Sequence, residues 1–177
     1  MKRDSMSGLK GMALWRKVGA PVPAIVSFRG EHHFLSNFYP AKVSYEDDVY
    51  ASVEHAYQAA KTEDREWREV IQRETTTASE AKRIGGHVLK RPEGWDTRRL
   101  FIMLSLLYQK FGQDTALCKM LLATDNAKLI EGNTWGDTFW GMVKGRTAAW
   151  EGENHLGKLL MRVRNARRRR TSHKGEA

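Results

Sequence analysis

A carboxylate, an amide and an amine recur at helical spacing in the segment SVEHAYQAAK, from Ser52 to Lys61. Glu54, Gln58 and Lys61 stand at i, i+4 and i+7, on one stripe of an α-helix. A rise of about 1.5 Å per residue spreads that stripe over about 10 Å, so one small ligand can meet all three side chains. A carboxylate transfers protons and a neutral amine attacks carbon, which makes acid–base and covalent chemistry available together. The same spacing also describes a solvated face, with a Glu–Gln contact worth about 0.2–0.5 kcal/mol. Val53, Ala56, Tyr57 and Ala60 form a neighbouring apolar stripe that seats the helix on a core.

Other segments hold residues suited to binding. Asp137, Trp135 and Trp140 lie in GNTWGDTFWG, a glycine-rich stretch that reads as a loop, and Trp95 lies in GWDTRR. An indole face stacks on a nucleobase, although a tryptophan serves equally as core. Asn37 is a polar residue in the otherwise apolar loop HFLSNFYPA, where it either binds a sugar or caps its own turn. Asn154 and Gly157, in GENHLGK, stand at the start of a helix. Backbone N–H groups there suit a phosphate, with Asn154 as a simple cap the alternative. His32 and His33 are adjacent and His55 stands alone, so no zinc-ligand spacing is present and no metal is expected.

Four motifs in order, HFLSNFYPA, SVEHAYQAAK, GNTWGDTFWG and GENHLGKLLMRVR, resemble the NADAR family, also called YbiA-like or DUF1768, from about Phe28 to Arg164. The resemblance implies an N-glycosidase. The substrates it brings are early riboflavin-pathway intermediates and ADP-ribose attached to guanine. It also implies Glu54 and Asp137 as the catalytic carboxylates, with Trp95 and Trp140 against the substrate. Breaking a ribosyl C–N bond builds positive charge on the sugar, which a nearby carboxylate stabilises. A Schiff-base role for Lys61 belongs to the same resemblance and requires a neutral amine, hence a lowered pKa. Phosphate binding and an ion pair with Glu54 are the alternatives for Lys61. No cofactor is expected.

Composition sets the frame for these residues. At 177 residues the chain fits one domain, and 41% hydrophobic residues with 6 Trp, 6 Phe and 5 Tyr supply a core. The single cysteine, Cys118, excludes an intramolecular disulfide, and its helical context makes it a small buried hydrophobe. No apolar run approaches the roughly 20 residues of a membrane span, and GMALW is too short for a signal-peptide core. A cytoplasmic protein without a membrane partner is expected.

The net charge of +9 divides into +4 before Pro23, −2 for the body and +7 from Lys158 onward. The expected organisation is a loosely ordered basic leader (1–23), a catalytic domain (24–165) and a basic tail (166–177). Arg167 to Arg170 can neutralise about four phosphates, which points to DNA or RNA, with solubility as the plainer role.

Patterning predicts a strand over Ala24–Arg29, a hairpin over Lys42–Tyr50 and helices over Ser52–Lys61, Ser79–Ile84, Thr97–Phe111, Thr115–Ala123 and Glu153–Arg170. Lys128–Glu131 reads as a further strand. The fold class is α+β, a predominantly helical single domain with a small β-sheet. The leading functional reading is removal of ADP-ribose from guanine in nucleic acid. Hydrolysis of ribosylaminopyrimidine phosphates and non-catalytic ADP-ribose or nucleotide binding are the alternatives.

Overall fold

Glu46 and Asp47 reverse the chain between β2 (Pro40–Tyr45) and β3 (Asp48–Ser52), with Glu46 in the left-handed region. Val43 faces Tyr50 across this antiparallel pair, and both side chains enter the core. The structure is a computed structural model and describes residues 23–88, 91–112 and 115–174. Before the hairpin come β1 (Ala24–Ile25) and a 3-10 turn over Gly30–Leu35. After it follow α1 (Val53–Ala59), α2 (Arg65–Glu69) with a π-turn over Val70–Glu74, α3 (Ala78–Gly86), α4 (Trp95–Lys110) and α5 (Ala116–Ala123). The chain closes with β4 (Lys128–Leu129), β5 (Val143–Lys144), β6 (Trp150–Glu151) and α6 (His155–Lys174). The class is α+β and mostly helical, as expected, but the strands form three two-stranded sheets rather than one.

The stretch expected as a strand from Ala24 to Arg29 pairs only through Ala24 and Ile25, parallel to Lys128 and Leu129. Its partner β4 is only two residues long, so the ladder ends there, and Phe28 leaves it for the core. α1 is the centre of the molecule and packs against α3, α4 and the hairpin. Ser52 starts it as N-cap, accepting the His55 N–H. Thr77 and Glu80 form a reciprocal capping box that starts α3.

α4 begins two residues before the expected Thr97, where Gly94 takes a left-handed conformation that favours glycine. Its fully buried residues are Met103, Leu106, Leu107 and Lys110. Of the expected stripe, Leu107 and Phe111 are buried, and Leu104 and Tyr108 pack half-buried against the same core, because α4 meets α1 and β2 as well as α6. Cys118 is buried in α5, as expected of a small hydrophobe.

The expected basic tail from residue 166 is continuous with α6, in keeping with the helix expected over Glu153–Arg170. Arg167 is 8% exposed, with Nε donating to the Phe111 carbonyl at 2.8 Å and a terminal nitrogen to that of Tyr108 at 2.6 Å. It caps the C-terminal end of α4, where carbonyls lack helical partners. The leader (1–22) and the last three residues lie outside the described residues. Among the described residues no helix is long and apolar enough to cross a membrane.

Candidate active site

One cavity of about 820 Å³ gathers six of the eight candidate residues: Glu54, Lys61, Asp137, Asn37, Trp95 and Trp140. α1 supplies Glu54, and Lys61 follows just beyond its end, because the polar stripe opens into the cavity while the apolar stripe fills the core. The backbone N–H of Glu54 donates to the Asn37 carbonyl at 3.0 Å, tying the helix to the loop before β2. Glu54 is 6% exposed, and Nε2 of Gln58 donates to its Oε1 at 2.6 Å. Burial raises the Glu54 pKa, with the Asp137 charge adding to the shift. The Gln58 bond and the charges of Lys82 and Lys61 oppose it.

Lys61 follows the end of α1, its amine 5.4 Å from the centre of the Tyr57 ring. Burial lowers its pKa to about 8; Arg91 and Lys82 push the same way and Glu54 opposes them. Among the described residues no ion pair joins Lys61 to Glu54. A substantial neutral fraction of this amine is therefore available near physiological pH.

Asp137 is held by the loop around it. Its Oδ1 accepts the N–H groups of Phe139 at 3.1 Å and Trp140 at 2.8 Å. Asn133 clamps the same loop, donating to the Asp137 carbonyl and accepting the Asp137 N–H. Trp140 meets Tyr57 edge-on at 5.3 Å and Phe139 at 5.0 Å, and Trp95 lies 5.5 Å from Tyr57. Two indoles and a phenol thus form one aromatic wall. Asn37 donates to the Met103 sulfur at 3.5 Å, and its buried Oδ1 has no partner.

Asn154 and Gly157, the expected phosphate site or helix cap, do not themselves line the cavity, although their neighbour Leu156 does. The side chain of Asn154 accepts the Glu131 N–H at 3.1 Å and donates to the Leu129 carbonyl at 2.9 Å. A Cβ on Gly157 would collide with that same carbonyl, so glycine permits the close approach. The N–H groups of Glu153, Asn154, His155 and Leu156 all donate to carbonyls of residues 138–141. The helix start is saturated by the Asp137 loop and serves to position it.

Several lining residues were not singled out from sequence. Arg29, Lys82, Arg91 and Arg99 add four cationic side chains to the wall. Trp135, noted only as a neighbour of Trp140, is 51% exposed, with Arg29 and Lys82 at 5.9 and 5.4 Å from its ring. Glu131 is the main omission. Burial raises its pKa to about 7, helped by Asp137 and Glu54 and opposed by Lys82 and Arg29. A lone acid ending the apolar run AKLIE was the available signal. Among the described residues no three His, Cys, Asp or Glu side chains converge as a metal site.

A buried acid with a pKa of about 7 and a buried amine with a pKa of about 8, beside an aromatic wall, form a set suited to proton transfer on a ring-bearing ligand. The NADAR domain model matches residues 27–168, and the chain belongs to the NADAR family. It is 34% identical over 131 residues to the N-glycosidase YbiA of Shigella flexneri, covering 73% of this chain and 78% of that protein. A riboflavin biosynthesis protein of Vibrio vulnificus is 33% identical over 133 residues, but the chain, 75% of which is covered, spans only 35% of its length. The NMR structure of the E. coli protein YbiA superposes with a TM-score of 0.70 at 30% identity, covering 92% of this chain and 94% of that one.

Proposed function

We propose that this protein is an N-glycosidase that removes ADP-ribose from guanine in nucleic acid. The observation that carries the reading is the pairing of buried Glu54 with Lys61, whose amine burial holds near neutrality, in one cavity. Glu54 stabilises positive charge on the sugar, and Asp137 supports it from the opposite loop. Lys61 attacks C1 of the opened sugar, forming C1=N as the bond from C1 to the base nitrogen breaks. Water then hydrolyses the imine, forming C1–O and returning the amine.

Four cationic side chains besides Lys61 suit a diphosphate better than a single phosphate, which favours the ADP-ribosyl substrate. The polymer would meet the outer side of α6, where Lys158, Arg162 and Arg169 line one shallow groove. Similarity to the Vibrio riboflavin biosynthesis protein supports a second reading, a ribosylaminopyrimidine phosphate as substrate.

The test is turnover of an ADP-ribosylated guanine oligonucleotide beside a ribosylaminopyrimidine phosphate, followed by mass spectrometry. Faster release of ADP-ribose is expected. Preference for the pyrimidine substrate selects the second reading, and tight binding without turnover of either selects a binding module.

A further inference from the structure

Glu131 has a fixed backbone and an unsatisfied side chain. It lies two residues beyond the end of β4. Its N–H donates to Asn154 at 3.1 Å and its carbonyl accepts the Met142 N–H at 2.9 Å. The side chain lines the cavity that holds Glu54 and Asp137. Its Oε2 is shut off from solvent and accepts no hydrogen bond, and among the described residues no cation forms an ion pair with it.

We propose that Glu131 is the catalytic acid that protonates the departing base nitrogen, a role that rests on the N-glycosidase reading above. A buried carboxyl oxygen without a donor disfavours the ionised form and favours the neutral acid. The groups that bear on it are Asp137 from the following loop, Glu54 from α1, Lys82 from α3 and Arg29 from the turn after β1. The two acids favour its protonation and the two cations oppose it. Glu54 is placed differently. Burial raises its pKa too, but it accepts a short bond from Gln58, and Lys82 and Lys61 oppose the shift, whereas no donor reaches Oε2 of Glu131. Unequal surroundings divide two neighbouring acids into a donor and an anion.

The step balances within the site. The C1–N bond breaks with its electron pair going to the base nitrogen, and the proton of Glu131 goes to that atom. The sugar carbon is taken by Lys61 or water, whose released proton passes to Glu54. Glu131 recovers a proton from solvent when the base leaves. No further reactant is needed.

The experiment measures kcat/KM against pH for wild type, Glu131→Gln and Glu131→Asp on ADP-ribosyl guanosine, with thermal melts of each. Wild type is expected to lose activity above about pH 7, where Glu131 deprotonates. Glu131→Gln should fall by about 100-fold or more and lose this alkaline limb, whereas Glu131→Asp should keep a shifted limb. A loss under tenfold, or a limb retained in Glu131→Gln, overturns the assignment. If Glu131→Gln does not fold, the Glu131→Asp profile decides, and an unshifted limb overturns it. A folded wild type without turnover of any ribosyl conjugate overturns the N-glycosidase reading, and this role with it.

Discussion

Nε2 of Gln58 donates to Oε1 of Glu54 at 2.6 Å across one turn of α1, while the Oε1 of Gln58 lies against Gly85 of α3 without a hydrogen-bond partner. A Cβ on Gly85 would collide with that oxygen. The packing of two helices therefore sets the direction of the amide, and the amide sets the carboxylate.

Gly85→Ala should displace Gln58 and reduce turnover, with an overpacking cost of about 1–3 kcal/mol in stability. Glu54→Gln should keep the fold and lose about 100-fold or more in kcat, because shape is kept and the charge is removed. Denaturant curves beside initial rates separate the two effects. Near-normal rates in folded Glu54→Gln would exclude Glu54 from the chemistry.

Borohydride added during turnover should trap the sugar on Lys61. The amine is half neutral at about pH 8, so the adduct trapped per turnover should rise as pH approaches that value, while total turnover falls once Glu131 deprotonates above about pH 7. Lys61→Arg should abolish it. Peptide mapping that finds the adduct on another lysine, or none while turnover continues, would remove the Schiff base from the mechanism.

Trp140 and Trp135 should separate in opposite ways. Trp140 packs against the core beside Tyr57 and Phe139, so Trp140→Ala should cost about 3 kcal/mol of stability as well as binding. Trp135 stands exposed at the rim, and Trp135→Ala should leave the melting temperature unchanged. If the rim indole stacks on a base, affinity should fall by about 1–3 kcal/mol. Calorimetric titration with an ADP-ribosyl conjugate, beside thermal melts, distinguishes them.

Lys110 should make stability depend on pH. Its amine is buried, donates to the Ser36 carbonyl at 2.5 Å, and burial lowers its pKa from 10.5 to about 7. Between these values the unfolded chain holds more protons than the folded one, so this contribution rises with pH and is lost as pH falls through about 7. Lys61 acts in the same direction above about pH 8. Glu131 acts oppositely, lowering stability as pH rises from 4.5 to about 7. Urea denaturation at pH 7, 8 and 9 should show a rise that Lys110→Met reduces. An identical slope in that variant would show that Lys110 does not titrate there.

Arg167→Met should lower stability by about 2–3 kcal/mol, because the Tyr108 and Phe111 carbonyls lose a charged donor. Ending the chain before Ala166 should do the same, whereas ending it after Arg170 should leave the melting temperature unchanged. If the outer side of α6 carries nucleic acid, Arg162→Ala should flatten the salt dependence of binding without changing turnover of a small conjugate.

Local spacing was enough for the sequence to specify α1, its apolar and polar stripes, and the acid and amine at its two ends. Caps and side-chain periodicity are short-range, so the positions of the hairpin, α5 and α6 followed from neighbours a few residues apart. What each polar side chain does was settled only by the fold. Asn154 reads as half of a phosphate site, yet its side chain is taken up by the Glu131 N–H and the Leu129 carbonyl, 23 and 25 residues away. Arg167 looked like a solvated tail, yet it reaches a carbonyl 56 residues back. Lys110 carried no signature of burial in its own segment, and Glu131 only the apolar run that precedes it. Their proton affinities depend on desolvation and on charges brought in by other elements, and no local pattern encodes those distances.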